Sequence, residues 1–179
     1  MLTLTSLALG SFKVSGAGKP LIVFPADAAK AADDSTIVLA SVPQEQSKDG
    51  ILSWPGEYHV AGVAVKGIGH LEGKQVSYVV TADGIRLAFL SSPLQEWSDK
   101  QVEFVGNIDV LVIPTSDAKL VQKLVDEFDP RVLILLPTKD QAEHSAVMKS
   151  IGAKETVSEY KLKSSLPQEG REVIVLAGE

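Results

Sequence analysis

Two short apolar runs, Ile108 to Ile113 and Val132 to Leu136, bracket a stretch in which Leu120, Val121, Leu124, Val125 and Phe128 recur at helical spacing. Runs this apolar suit strands buried on both faces, so the chain must supply helices to cover the sheet they join. Pro114 closes the first run. The helix begins near Asp117 and stops before Pro130, because a proline pushes its predecessor out of the α region. The result is a β-α-β step, and with it an α/β fold class.

The remaining segments add strands before this step and a helix after it. Leu2 to Leu7 alternates apolar and polar residues, as does Ser11 to Val14. The Ser15-Gly16-Ala17-Gly18-Lys19-Pro20 turn between Val14 and Leu21 is no phosphate loop, which needs four residues between its glycines and a hydroxyl after the lysine. Leu21 to Phe24 is a short strand, Ala26 to Ala32 a helical turn, and Thr36 to Ala40 a buried central strand. Gln75 to Val80 and Ile85 to Leu90 flank Ala82-Asp83-Gly84, a hairpin signal. Trp97 to Val105 is a helix with a polar start at Ser98-Asp99 and a stop at Gly106. Gln141 to Ile151 is another, closed by Gly152, and it precedes a segment Thr156 to Leu162 and a last strand, Glu172 to Leu176.

At 179 residues the chain is expected to form a single domain over residues 1–179, with no linker or low-complexity segment. Seventeen basic against 23 acidic side chains give a net charge of −6, which disfavours a nucleic-acid partner. No cysteine is present, which excludes disulfides and thiolate metal sites. Met1 to Leu9 is apolar but has no basic region before it, so no secretory signal is expected. Without an apolar run long enough for a membrane span, no membrane partner is expected and a cytoplasmic location is the default.

The stretch from Leu52 to Ile68 carries the most specific pattern. Pro55 and Gly56 suit a type II turn, since Gly56 can adopt the positive φ it requires. Val63 and Val65 then suit a half-buried strand. The run Pro55-Gly56-Glu57-Tyr58, then Gly62-Val63, Val65 and Gly67-Ile68, followed by a strand, an Asp-Gly hairpin and a second strand, resembles the UlaG-like branch of the metallo-β-lactamase superfamily. That resemblance covers nearly the whole chain. It implies a four-layer αββα sandwich with two mixed sheets flanked by helices, and an ancestry of zinc- or manganese-dependent hydrolases.

The same resemblance locates a metal site that this chain does not fill. Catalytic members carry His-x-His-x-Asp-His after the buried strand, where Ser41 to Ser47 stands here; Val42, Gln44, Gln46 and Ser47 take the ligand positions. The early Gly-His corresponds to Ala8-Leu9, the Asp-Pro to Phe24-Pro25, the Gly-Asp to Ser91-Ser92 and the Pro-x-His to Leu135-Leu136-Pro137. Such metals want imidazole, carboxylate or thiolate donors, and Leu9, Phe24, Val42, Ser92 and Pro137 are none of these. Removing one ligand would strand buried charges, whereas replacing the set removes that difficulty. The reading is therefore a domain that folds without metal or other cofactor.

Among the histidines, His70 lies near where relatives place another metal-site histidine and is the candidate for a retained site residue, though one imidazole cannot hold a catalytic zinc. His59, in the strand that follows Pro55-Gly56, and His144, on the polar side of a helix, are read as structural or solvated. Glu57 and Tyr58 are read as fixing the turn by hydrogen bonding to backbone amides. Ser41, Ser91 and Ser92 could act as nucleophiles only with an imidazole such as His70 in reach, and no nucleophile elbow supports this. Trp54, Tyr58 and Trp97 are core or a recognition surface, with Glu45, Glu96 and Asp99 as a solvated acidic rim.

Three functions follow from the sequence. The first is a non-catalytic binding, scaffold or self-assembly module with an unknown protein partner or a second copy of itself, a homo-oligomer being the form the resemblance suggests. The second is a metal-dependent hydrolase with displaced ligands such as His70, His59, Glu57 and Asp83, holding zinc or manganese; a serine-based, metal-free hydrolase is its variant. The third is a small-molecule sensor using the vestigial cleft.

Overall fold

A computed structural model describes residues 1–8, 10–46, 48–153, 155–163 and 165–177. The strands are β1 (Thr3–Ser6), β2 (Phe12–Ser15), β3 (Leu21–Val23), β4 (Ile37–Leu39), β5 (Ile51–Leu52), β6 (Gly56–Val60), β7 (Val63–His70), β8 (Gln75–Ala82), β9 (Ile85–Phe89), β10 (Val110–Pro114), β11 (Val132–Leu136), β12 (Glu155–Val157), β13 (Glu159–Lys161) and β14 (Glu172–Leu176). The helices are α1 (Ala28–Ala31), α2 (Asp99–Val105), α3 (Ala118–Phe128) and α4 (Gln141–Ile151).

Six strands form one sheet in the order β13-β1-β2-β3-β4-β5, and eight form the other in the order β12-β14-β11-β10-β9-β8-β7-β6. Both sheets are mixed. In the larger, β9, β10, β11, β14 and β12 run parallel, while β6 to β9 form an antiparallel meander. The parallel part is where the sequence supplies continuous apolar runs: every residue of β10 and β11 is buried.

The main core lies between the sheets, where Phe12 of β2 meets Phe89 of β9 edge to face with ring centroids 5.1 Å apart. Tyr78 of β8 joins the two sheets through its hydroxyl, which faces the carbonyls of Ala40 at 2.6 Å and Leu52 at 2.9 Å. Beyond the larger sheet, α2, α3 and α4 bury Val105, Val121, Leu124, Val125, Phe128 and Val147 against its outer face. The smaller sheet is covered by the four-residue α1, which packs Ala28 on Val38, Ala40 and Ile51. This is the αββα order, with three helices on one side and a single turn on the other.

Helix ends follow their capping residues. Ser98 and Gln101 form a capping box at α2, and Gly106 closes it. Asp117 and Asp140 cap α3 and α4, and Gly152 ends α4 in the left-handed region at φ +75°. Asp83-Gly84 joins β8 to β9 with φ of +53° and +75°, the signs of a type I′ turn, and Ala61-Gly62 joins β6 to β7 in the same way.

Two expectations need correction. Pro55-Gly56 is a bend, not a type II turn: Gly56 has φ +146°, well beyond the range of such a turn, and already begins β6. The bend instead lays the chain on Gly67, where a Cβ would lie 2.8 Å from the Trp54 carbonyl oxygen. The segment Thr156 to Leu162 is likewise not one element. Ser158 divides it, so that β12 joins the larger sheet beside β14 and β13 joins the smaller beside β1. The amide of Ser6 donates to the Ser158 carbonyl at 2.8 Å, which holds the crossing in place.

Candidate functional site

Parallel strands leave ligand clefts at their carboxyl ends, where strand gives way to helix. Here β10 ends at Pro114 and β11 at Leu136, and the caps of α3 and α4 follow within a few residues. A cleft of about 570 Å³ opens there. Phe24, Leu90 and Leu136 supply apolar wall with Pro25, Pro93, Pro114 and Pro137; Ser41, Ser92, Ser116 and Thr138 supply hydroxyls; Lys139, Asp140 and Glu143 stand on one side.

Three of the positions that the resemblance marks as former ligands, Phe24, Ser92 and Pro137, come together in this cleft. Val42, Gln44 and Gln46 are not among its lining residues. Val42 is exposed, Gln46 is exposed, and Gln44 is held by its backbone, its amide donating to Ser53 Oγ and its carbonyl accepting from Trp54 Nε1. Leu9 and Ser47 lie outside the described residues. Phe24 has φ +52°, a region where bulky residues are rare and Asp or Asn is enriched. Its ring lies 6.1 Å from that of Tyr78.

The donor set of this cleft does not fit a transition metal. It contains no imidazole, and one of its two carboxylates, Asp140, already accepts from the amides of Ala142 and Glu143 at the start of α4. Among the described residues no group of three or more His, Cys, Asp or Glu side chains is placed to hold an ion.

His70 sits elsewhere, on the helix side of the larger sheet, 5% exposed and edge-on to Trp97 at 4.7 Å. Its Nε2 is 3.0 Å from Ser77 Oγ, which lies 3.1 Å from Ser91 Oγ. Gln75 Nε2 donates to Ser91 Oγ and to the Pro93 carbonyl, both at 2.8 Å. This buried network anchors the segment after β9 whose next residues, Ser92 and Pro93, line the cleft. Burial pushes the imidazole pKa down to about 4, so His70 is neutral at physiological pH. Ser77 and Ser91 are each 1% exposed, which leaves a substrate no way to reach the one hydroxyl paired with His70.

The other candidates are dispersed. His59 is exposed on β6, and Asp83 binds the terminal amine of Met1 at 3.0 Å, at the far end of β8 from His70. His144 is not simply solvated: its Nδ1 is 2.9 Å from Thr115 Oγ1, below the cleft wall. Glu57 does not bond the turn amides. It is exposed and lies 3.6 Å from Lys66 Nζ on the neighbouring strand, while Tyr58 fixes the bend by donating to the Trp54 carbonyl at 2.8 Å. Trp97 is core, packed against Phe128 at 5.3 Å, and Trp54 is 49% exposed. Glu45, Glu96 and Asp99 are all exposed. The hydroxyl-bearing wall Ser116-Thr138 escaped the sequence reading, although a strand, a proline and a capping Asp in close succession announce such a wall.

No helix of the described residues is long and apolar enough to cross a membrane. No curated protein sequence matches the chain. Among solved structures, it is similar to a candidate Zn-dependent hydrolase of the metallo-β-lactamase superfamily from Thermotoga maritima, with TM-score 0.80, 23% identity and 98% of each chain covered. It is also similar to the metallo-β-lactamase fold protein YhfI from Bacillus subtilis (TM-score 0.65, 8% identity, 99% of this chain and 96% of that one). A third is Igni18, a metallo hydrolase from the archaeon Ignicoccus hospitalis (TM-score 0.59, 11% identity, 90% and 99%). At these identities the likeness is one of fold. The family model described as "Beta-lactamase superfamily domain" matches residues 3–154, and the chain belongs to that family.

Proposed function

We propose that this chain is a non-catalytic member of its superfamily, from the UlaG-like branch, which has lost its metal centre and works by association: with a protein partner or with a second copy of itself. The observation that carries the reading is the chemistry of the cleft, where Phe24, Ser92 and Pro137 gather without an imidazole. The left-handed backbone at Phe24 supports it, because that conformation suits the aspartate of catalytic relatives better than a phenylalanine. The whole chain is read as one domain, cytoplasmic, with neither nucleic acid nor membrane as partner; the net charge of −6 disfavours nucleic acid. The test is metal analysis of protein purified without chelator. Substoichiometric zinc, manganese and iron, with no phosphodiesterase or lactonase activity, are expected. One equivalent of a transition ion lost on substituting cleft or His70 side chains would overturn the reading.

A second reading has its own support in the open volume of the cleft. Its four hydroxyls and apolar wall suit an uncharged small molecule, as in a sensor. A ligand of that kind would raise the unfolding temperature by mass action, and a Ser92→Trp substitution would abolish the rise.

A further inference from the structure

Four strands end the two sheets, and three of them are short: β5 has two residues, β12 and β13 three each. Short edges are one means by which sheets avoid pairing with other molecules, along with lysine, proline and bulges within the strand. The fourth edge, β6, is longer and has neither lysine, proline nor bulge; its one charged side chain is the acidic Glu57. Its five residues Gly56-Glu57-Tyr58-His59-Val60 pair throughout with β7, and among the described residues no strand pairs with their other side. Glu57 and His59 are both exposed.

The register decides which backbone groups are free. Val60 pairs with Val63 across the two-residue turn, so Val60, Tyr58 and Gly56 direct their amides and carbonyls at β7. The amides and carbonyls of Glu57 and His59 therefore point outward. An antiparallel copy of β6 with its two-fold axis at Tyr58 sets Glu57 of one chain opposite His59 of the other, twice. Both residues then exchange both of their backbone hydrogen bonds. The side chains complement one another as well: on the outer face each row reads His59, then the second copy's Glu57, then the second copy's Lys66, which already lies 3.6 Å from that carboxylate.

We propose that two copies of this chain associate through β6, antiparallel and centred on Tyr58, joining their eight-stranded sheets into one. The inference deepens the reading of the chain as an associating module, and its test involves neither metal nor cleft, so the two can fail separately. Association is isologous, as closed dimers require.

Sedimentation of the wild-type chain across a dilution series reads the dimer directly. Glu57→Lys removes the acceptor that faces His59 of the other copy and places like charge beside Lys66, and is expected to raise the dimer dissociation constant by about tenfold. The exchange Glu57→Lys with His59→Glu restores the pairing and the affinity. Because the chain contains no cysteine, Tyr58→Cys supplies a position-specific probe: at the two-fold axis the Cα atoms would lie about 4.5 Å apart, and mild oxidation should link the copies covalently. Circular dichroism melts establish that each variant is folded. The proposal is overturned if the wild-type chain sediments as a monomer throughout, if Glu57→Lys leaves the dimer intact, or if a folded Tyr58→Cys chain fails to cross-link.

Discussion

Acid should weaken this protein through His70, and the size of the effect follows from its surroundings. The imidazole, enclosed by Trp97, Ser77 and neighbouring strands, has its pKa pushed by burial from 6.5 to about 4. Between those values the unfolded chain binds a proton that the folded chain refuses, so stability rises with pH across the window. It is complete above about pH 6.5, declines as pH falls, and levels off once the folded state itself takes up the proton near pH 4. A displacement of this size, at about 1.4 kcal/mol per pKa unit, corresponds to a total on the order of 3 kcal/mol. About 2 kcal/mol of that is lost by pH 5. His70→Gln keeps a hydrogen-bonding partner for Ser77 but does not titrate. Urea unfolding of both proteins, followed by tryptophan fluorescence at pH 7.5 and pH 5, gives the comparison. Carboxylates affect both proteins alike and cancel, so the wild type should lose about 2 kcal/mol more than the variant. Equal losses would refute the assignment of His70 as a buried, neutral imidazole.

Other perturbations have narrower targets. Tyr78→Phe removes the hydroxyl that faces Ala40 and Leu52, and should cost about 1–3 kcal/mol in chemical denaturation by leaving buried carbonyls less satisfied. Gly67→Ala drives a methyl against the Trp54 carbonyl; a loss of about 1–3 kcal/mol is expected, with altered Trp54 fluorescence as the bend shifts. Ser98→Ala deletes the cap of α2 and should lower stability by about 1 kcal/mol, whereas Ser98→Asp should not.

The elements most legible in the sequence were those whose signals are local. Pro130 and Gly152 stopped α3 and α4 where predicted, and Asp83-Gly84 made its hairpin, because proline, glycine and capping side chains act within a turn of themselves. The Ser158 crossing was not legible. One residue moves the chain from one sheet to the other while the alternation on either side continues undisturbed. Gln75 and Ser77 could be seen as polar positions on one face of an apolar strand, but their partner Ser91 comes from a different strand end. Glu57 was assigned to the nearest turn when its partner, Lys66, is set by β6–β7 register. Of the cleft, the motif resemblance located Phe24, Ser92 and Pro137, while Ser116 and Thr138 became visible only when the parallel strands were laid side by side.

The family match stops at residue 154, yet β14 runs from Glu172 to Leu176 between β11 and β12, with Ile174, Val175 and Leu176 each 1% exposed. A fragment trimmed to the matched region would therefore uncover a flank of β11, all of it hydrophobic, and strip β13 from the opposite layer in the same cut. Homology marks where ancestry is recognisable; here it does not mark where the polypeptide can be severed. β14 completes the inside of the molecule although it follows every other strand of its sheet in the chain, so the larger sheet cannot close until this segment has been synthesised.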